Sequence, residues 1–195
     1  MKKILSIIIA LVLMSAGAWA EQGATPSPAP TGTEDAAGAV YSHYDFDGET
    51  MDVTAPYWIE FDGLFKMRMP AGWQNFALTD AQMENGMIAC FGDGAHFMFV
   101  GREDDTGAYA DMNEFGMTLA LNDSYVSIFQ NEFNGTEFIC YSDYENTSSD
   151  CATILPGKGI YTFYFYPVDG NTDFAQTVLD LMNSYAMLDV ENENE

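Results

Sequence analysis

The chain has 195 residues, and its 30 acidic residues against six basic ones give a formal charge of -24 at neutral pH. Lys and Arg supply most of the affinity that proteins have for nucleic acid, by neutralising phosphate. Only four basic residues follow residue 20, and they are scattered along the chain: Lys66, Arg68, Arg102 and Lys158. The composition therefore makes nucleic acid and anionic membranes poor partners, and it is typical of a solvated, self-repelling surface. The alternative is a surface that binds cations or docks a basic partner.

Residues 1–20 have the charged, apolar and small-residue order of a secretory signal peptide. Lys2 and Lys3 precede an apolar run over residues 4–14, and an A-x-A pattern ends at Ala20. The run is shorter than the ~20 residues that span a bilayer. We predict cleavage after Ala20 and a secreted or extracytoplasmic (cell envelope) mature chain with no membrane anchor.

The rest of the chain divides by composition. Residues 21–40 are rich in Pro, Ala and Gly and predict a flexible spacer, because they hold too few large apolar side chains to offset ordering. Residues 41–57 mix aromatic and acidic side chains, and we interpret them as an extended arm that packs on the domain edge. The folded domain is expected over residues 58–190, and residues 191–195 form an acidic tail.

Hydrophobic patterns predict the strands of this domain. Residues 65–69 alternate apolar and basic side chains, as a half-exposed strand does. Two hairpins are indicated, one turning at residues 92–94 and one at Asn134-Gly135. A further strand covers residues 152–155. Residues 160–166 are apolar on both alternating faces, which predicts a central strand covered from both sides.

Capping patterns and apolar spacing predict the helices. Asp111 with Glu114, and Asp173 with Gln176, each stand three residues apart before an apolar helical face, and Thr79 with Gln82 predicts a shorter turn. The predicted fold class is α+β, a mostly antiparallel sheet with helices packed on both faces.

This pattern resembles the PsbP-like α/β/α sandwich, the fold of a photosystem II extrinsic subunit and of a nuclear-import factor that binds the GTPase Ran. The similar features are the strand that ends in Met69-Pro70-Ala71-Gly72-Trp73, the hairpin around Asp93-Gly94, the run from Asn134-Gly135 through Phe138, and the closing strand and helix over residues 161–184. The resemblance covers residues 58–188. It implies a binding or assembly module and carries over no functional residue.

Cys90 and His96 form the one candidate catalytic pair. If residues 92–94 are the hairpin loop, Cys90 faces His96, and an imidazole beside a thiol can activate it as a nucleophile. The same side of the sheet carries Ile88, Met98 and Val100. These apolar neighbours favour the alternative of a buried, inert cysteine.

The acidic arm offers hard oxygen ligands that suit calcium: Asp45, Asp47, Glu49 and Asp52. The spacing fails the EF-hand pattern, because Gly48 stands fourth and Pro56 twelfth when Asp45 is counted as first. A solvated arm is the main interpretation, and calcium binding in another geometry is the alternative. No other metal site and no cofactor is expected.

The cysteines predict one disulfide in an exported chain. A four-residue loop over residues 144–147 places Cys140 opposite Cys151, at a distance that a disulfide accepts. The alternative is that both thiols pack as small core residues. The pairing leaves Cys90 as a free thiol.

The leading functional hypothesis is an exported, non-catalytic binding or assembly module that acts on a protein or an envelope component. The alternatives are an extracellular hydrolase or transferase that uses Cys90 and His96, and a protein that binds cations weakly. A reactive thiol in the folded protein would favour the enzyme.

Overall fold

The fold is known from a computed structural model that describes residues 33–34, 40–41, 43–46, 51–145, 147–168 and 171–188. Its elements in chain order are β1 (Thr33–Glu34), β2 (Val40–Tyr41), β3 (Tyr57–Phe61), β4 (Phe65–Met69), β5 (Gln74–Asn75), α1 (Asp80–Glu84), β6 (Met87–Gly92), β7 (Phe97–Glu103), α2 (Met112–Ala120), β8 (Tyr125–Phe133), β9 (Thr136–Asp143), β10 (Ser149–Leu155), β11 (Gly159–Tyr166), α3 (Thr172–Ser184) and β12 (Ala186–Met187). The predicted signal peptide, the acidic tail and most of the predicted spacer lie outside the described residues.

Seven strands form the main sheet, in the order β5-β6-β7-β11-β10-β9-β8, and every neighbouring pair is antiparallel. β11 is the middle strand, as its apolar pattern predicts. Strands β12, β4 and β3 form a second, three-stranded antiparallel sheet. The sequence pattern predicted a single sheet and did not indicate this second one. β1 and β2 pair with each other.

The three-stranded sheet and α3 belong to the same core as one face of the main sheet. Phe65 of β4 lies in contact with Tyr161 and Phe163 of β11, with ring centroids 5.1 and 5.7 Å apart. Helix α3 adds Leu181 and Met182 to this core. Successive residues of a strand point to opposite faces, so these odd-numbered β11 residues share one side of the sheet.

Helix α2 covers part of the opposite face. Its apolar stripe packs on the even-numbered side of β11 and on the matching side of β9 and β10, and the cluster contains Met112, Phe115, Leu119, Tyr125, Ile139, Tyr141, Ala152 and Ile160. Helices therefore lie on both faces of a mostly antiparallel sheet, and the predicted α+β class is confirmed.

The helix starts follow local capping chemistry. Thr79 and Gln82 form the predicted capping box of α1, and the Asp111 carboxylate accepts a bond from the backbone N–H of Glu114 at the start of α2. The prediction for α3 was wrong by two residues. Asn171 is the cap, because its side chain accepts from the N–H groups of Asp173 and Phe174.

The two hairpins around the central strands differ in how well their register was predicted. In β9–β10, Cys140 faces Cys151 and Tyr141 faces Asp150, as predicted. In β6–β7 the predicted register was wrong. Asp93 accepts from the N–H groups of Ala95 and His96, so the turn spans residues 93–96.

Candidate functional site

The outer face of the three-stranded sheet carries an exposed tryptophan among basic side chains. We call this surface the Trp58 face and define it by Trp58, Glu60, Lys66, Arg68 and Ala186. Trp58 is 45% exposed and pairs with Arg68 across β3 and β4, and the Lys66 Nζ lies 5.2 Å from the centroid of the Trp58 ring. Such a cation–π contact and an exposed indole are features of interaction surfaces.

The opposite side of the same strands explains why this face is held in place. Ile59, Phe61, Phe65, Met67 and Met69 alternate with the outward residues and are fully buried. The rings of Phe61 and Phe65 stack with centroids 5.2 Å apart. A one-residue slip in register would expose all five apolar side chains, so Trp58, Lys66 and Arg68 are fixed on the outside.

Residues 43–46 of the predicted arm pack along the edge of β3. Tyr44 forms a bridge with Phe61, Asp45 donates its N–H to the carbonyl of Glu60, and Asp62 donates its N–H to the carbonyl of His43. Tyr44 also contacts Phe91 of the main sheet, with ring centroids 5.6 Å apart. The arm segment thus covers a sheet edge that would otherwise be open to pairing with another chain.

A polar link at Asp62 joins the arm to the main sheet. The Asp62 carboxylate accepts from the Tyr161 hydroxyl at 2.6 Å, pairs with His43 Nδ1 at 2.7 Å, and lies 3.9 Å from Arg102 Nε. Burial raises the pKa of Asp62, but the hydrogen bonds from His43 and Tyr161 and the charges of His43 and Arg102 outweigh it, so the net pKa is lowered.

The structure separates the candidate catalytic pair. Cys90 faces Phe99 in the β6–β7 register, and His96 stacks on Phe174 with ring centroids 4.3 Å apart. Cys90 is 1% exposed, and burial raises the pKa of its thiol to about 12. A protonated, buried thiol away from the imidazole is not activated as a nucleophile. The expectation that Cys90 faces His96 is therefore wrong.

The acidic arm residues that the structure describes are engaged in local hydrogen bonds. Asp45 accepts from the N–H of Glu60 at 2.5 Å, and Asp52 accepts from the N–H and the hydroxyl of Thr54. Asp47 and Glu49 lie outside the described residues. Within the described part of the chain, no group of three or more His, Cys, Asp and Glu side chains is placed to hold a metal ion.

Cys140 and Cys151 lie side by side in the core between the two sheets, with their sulfurs 3.1 Å apart as free thiols. The hydrogen bond with Cys151 lowers the pKa of Cys140, whereas the same bond raises that of Cys151. The predicted disulfide stays a prediction.

Comparison with known proteins adds information about the fold. No family model matches the chain, and no curated protein matches it. The solution structure of cyanobacterial PsbP (CyanoP) from Synechocystis sp. PCC 6803 superposes with a TM-score of 0.51 at 14% identity, over 74% of this chain and 98% of that one. This chain has a PsbP-like fold.

A crystal structure from Bacteroides thetaiotaomicron is also similar, at 14% identity and a TM-score of 0.37, over 64% of this chain and 45% of that one. At this identity the PsbP likeness concerns the fold alone, and function has to be argued from the site. Separately, no helix among the described residues is both long enough and apolar enough to cross a membrane.

Sequence reasoning found the half-exposed strand of the Trp58 face but not its neighbours. The alternation of residues 65–69 places Lys66 and Arg68 outward, which the structure confirms. Residues 57–61 show the same alternation of buried and exposed side chains, so the sequence pattern could also have predicted that Trp58 points outward. The link at Asp62 joins His43, Tyr161 and Arg102 from three distant parts of the chain, so no local sequence pattern predicts it.

Proposed function

We propose that this chain is an exported, non-catalytic binding or assembly module that docks an acidic segment of another protein, in the cell envelope or outside the cell, on its Trp58 face. The observation that carries the proposal is the exposed Trp58 ring with Lys66 beside it and Arg68 across from it. Export is supported by the signal-peptide pattern of residues 1–20.

Charge complementarity supports an acidic partner. Lys66 and Arg68 are two of only four basic residues after residue 20, and they stand on adjacent outward positions of one strand. An exposed tryptophan provides apolar contact area at low entropic cost, and Trp and Arg dominate the binding energy of many interfaces. The rest of the acidic surface repels an acidic partner, which orients it toward this face.

The test is capture of partners from the envelope and the growth medium of the host by the mature chain, compared with the variants Trp58→Ala and Lys66→Glu/Arg68→Glu. We expect one set of proteins whose capture falls at least tenfold with either variant and weakens as the salt concentration rises. Lys158→Glu is the control for added negative charge, since Lys158 lies in the turn after β10 and is not one of the residues that define the Trp58 face.

Equal capture by the wild type and the Trp58→Ala variant would exclude this face as the docking site. N-terminal sequencing of the secreted protein tests the export part separately, and we expect Glu21 as the first residue. Retention of Met1 on exported protein would contradict the cleavage prediction without bearing on the docking face.

A further inference from the structure

A buried carboxyl group lies among tyrosines on the side of the main sheet that faces away from the Trp58 face. Asp150 of β10 is 4% exposed, and it pairs with Tyr164 of β11 on one side and with Tyr141 of β9 on the other. The ring of Tyr125 meets that of Tyr141 edge-on, with centroids 5.1 Å apart. We call Tyr125, Tyr141, Asp150 and Tyr164 the tyrosine–aspartate cluster.

Two polar atoms of this cluster are buried without a partner. The carboxyl of Asp150 interacts with the side chain of Ser148, but its Oδ1 has no hydrogen-bond partner among the described residues, and neither has the hydroxyl of Tyr125. Tyr125 is 7% exposed. Buried polar atoms in native proteins are almost always satisfied, so two orphans in one cluster point to an occupant that bonds them.

The cluster lies between the two apolar coverings of this sheet face. Tyr125 and Tyr141 pack with helix α2, whereas Tyr164 packs with the group that contains Cys90 and Phe99 next to β5 and α1. The ring of Tyr164 lies against Gly101, where an added Cβ would come within 3.0 Å of it. Asp150 is therefore at the junction of two packed groups rather than inside either one.

The charged groups that act on Asp150 and on its tyrosine neighbours are carboxylates. The titratable groups that act on it or on its tyrosine neighbours are Asp143 of β9, Glu103 of β7, Cys151 and the tyrosines of the cluster. Burial and the Asp143 charge raise the pKa of Asp150 well above its usual range. A positively charged occupant would reverse this effect by stabilising the carboxylate.

We propose that the tyrosine–aspartate cluster binds a small organic ammonium ion, with Asp150 Oδ1 and the Tyr125 hydroxyl accepting its N–H groups. Tyrosine rings attract a desolvated cation through their faces, and a single carboxylate fixes its position. A divalent metal ion prefers several oxygen ligands, so one carboxylate among three aromatic rings suits an organic ammonium better. Binding favours the carboxylate form of Asp150, so below the pKa of the free protein's Asp150 it releases one proton to the solvent.

The experiment titrates the full mature chain with methylammonium chloride and follows the ring resonances of the tyrosines by NMR, with sodium chloride at equal ionic strength as the reference. The affinity should rise about tenfold per pH unit while Asp150 is protonated in the free protein, because one proton is released per ion bound. Asp150→Asn should weaken binding about 10- to 100-fold and remove the pH dependence, since a charge-assisted hydrogen bond is lost.

Tyr125→Phe provides a second variant, which removes one acceptor and leaves the ring in place, and we expect a smaller loss of affinity. Glu137→Gln is the control, because it removes one exposed negative charge from β9 away from the cluster. Equal binding by the Asp150→Asn and Glu137→Gln variants overturns the proposal. So does an equal response to sodium, or the absence of any response in the wild type. In that last case, a more stable Asp150→Asn variant would identify Asp150 as a buried acid satisfied by water.

Discussion

Oxidation of Cys140 and Cys151 to a disulfide should stabilise this chain substantially. The two residues face each other across β9 and β10, and 11 positions separate them in the sequence. For a loop of that length, the loss of chain entropy in the unfolded state gives about 2.8 kcal/mol at 25 °C. A domain of this size shifts its Tm by about 2–4 °C per kcal/mol, so we expect oxidation to raise Tm by roughly 6–11 °C.

The assay compares urea unfolding of the mature protein, matured under oxidising conditions, before and after reduction. The double variant Cys140→Ala/Cys151→Ala should show no response to the reductant, whereas Cys90→Ala should respond like the wild type. Thiol alkylation of the oxidised, denatured protein should label Cys90 alone. Three labelled cysteines, or a single label at Cys140 or Cys151, would refute the pairing.

Three further predictions concern the rest of the chain. Asp62→Asn should lower the free energy of unfolding at pH 7 by about 1–3 kcal/mol. The folded pKa of Asp62 is lowered, so the stability that its carboxylate contributes is fully present above the unfolded pKa near 4 and is lost as the pH falls through the folded pKa. The free energies of unfolding of wild type and variant, measured against pH, should therefore converge in acid. Gly92→Ala should destabilise the protein by about 2–3 kcal/mol, since the added Cβ would lie 2.3 Å from the backbone oxygen of His96. Gly116→Ala should change stability by less than about 1 kcal/mol, because the flexible end of Ile139 can yield and Ala favours a helix. Chemical denaturation of both variants checks this, and equal losses of stability would contradict it. A mobility-shift assay at physiological salt should show no complex with nucleic acid, and a retarded band would contradict that expectation.

The sequence was sufficient to predict much of the fold because its signals are local. The apolar run of residues 160–166 identified the central strand, and the loop of residues 144–147 set the register that brings Cys140 opposite Cys151. The β6–β7 register failed because Gly92-Asp93-Gly94 has the composition of a short turn, whereas the Asp93 side chain binds two following N–H groups and extends the turn to residue 96. Side-chain bonds of this kind depend on rotamers that no hydropathy pattern specifies.

The sites were less predictable than the strands, because they depend on contacts between distant segments. Asp150 looks like one acidic residue of many in the sequence. Asp150 stands out only because it is buried between Tyr141 and Tyr164. That position can be recognised only when the order of β9, β10 and β11 is known. The three-stranded sheet likewise needed β12, at the end of the domain, to pair with β4 near its start.

The proposed docking surface and the tyrosine–aspartate cluster can be tested independently because they lie on different layers. The Trp58 face is the outer side of the three-stranded sheet, and Asp150 points to the far side of the main sheet, with the core of Phe65, Phe163 and Tyr185 between them. Substitutions at distant sites with no shared partner add in their effects. Trp58→Ala should therefore leave ammonium binding unchanged, and Asp150→Asn should leave partner capture unchanged. A measured interaction between the two substitutions would mean that the main sheet couples its two faces, and the two proposals would then have to be revised together.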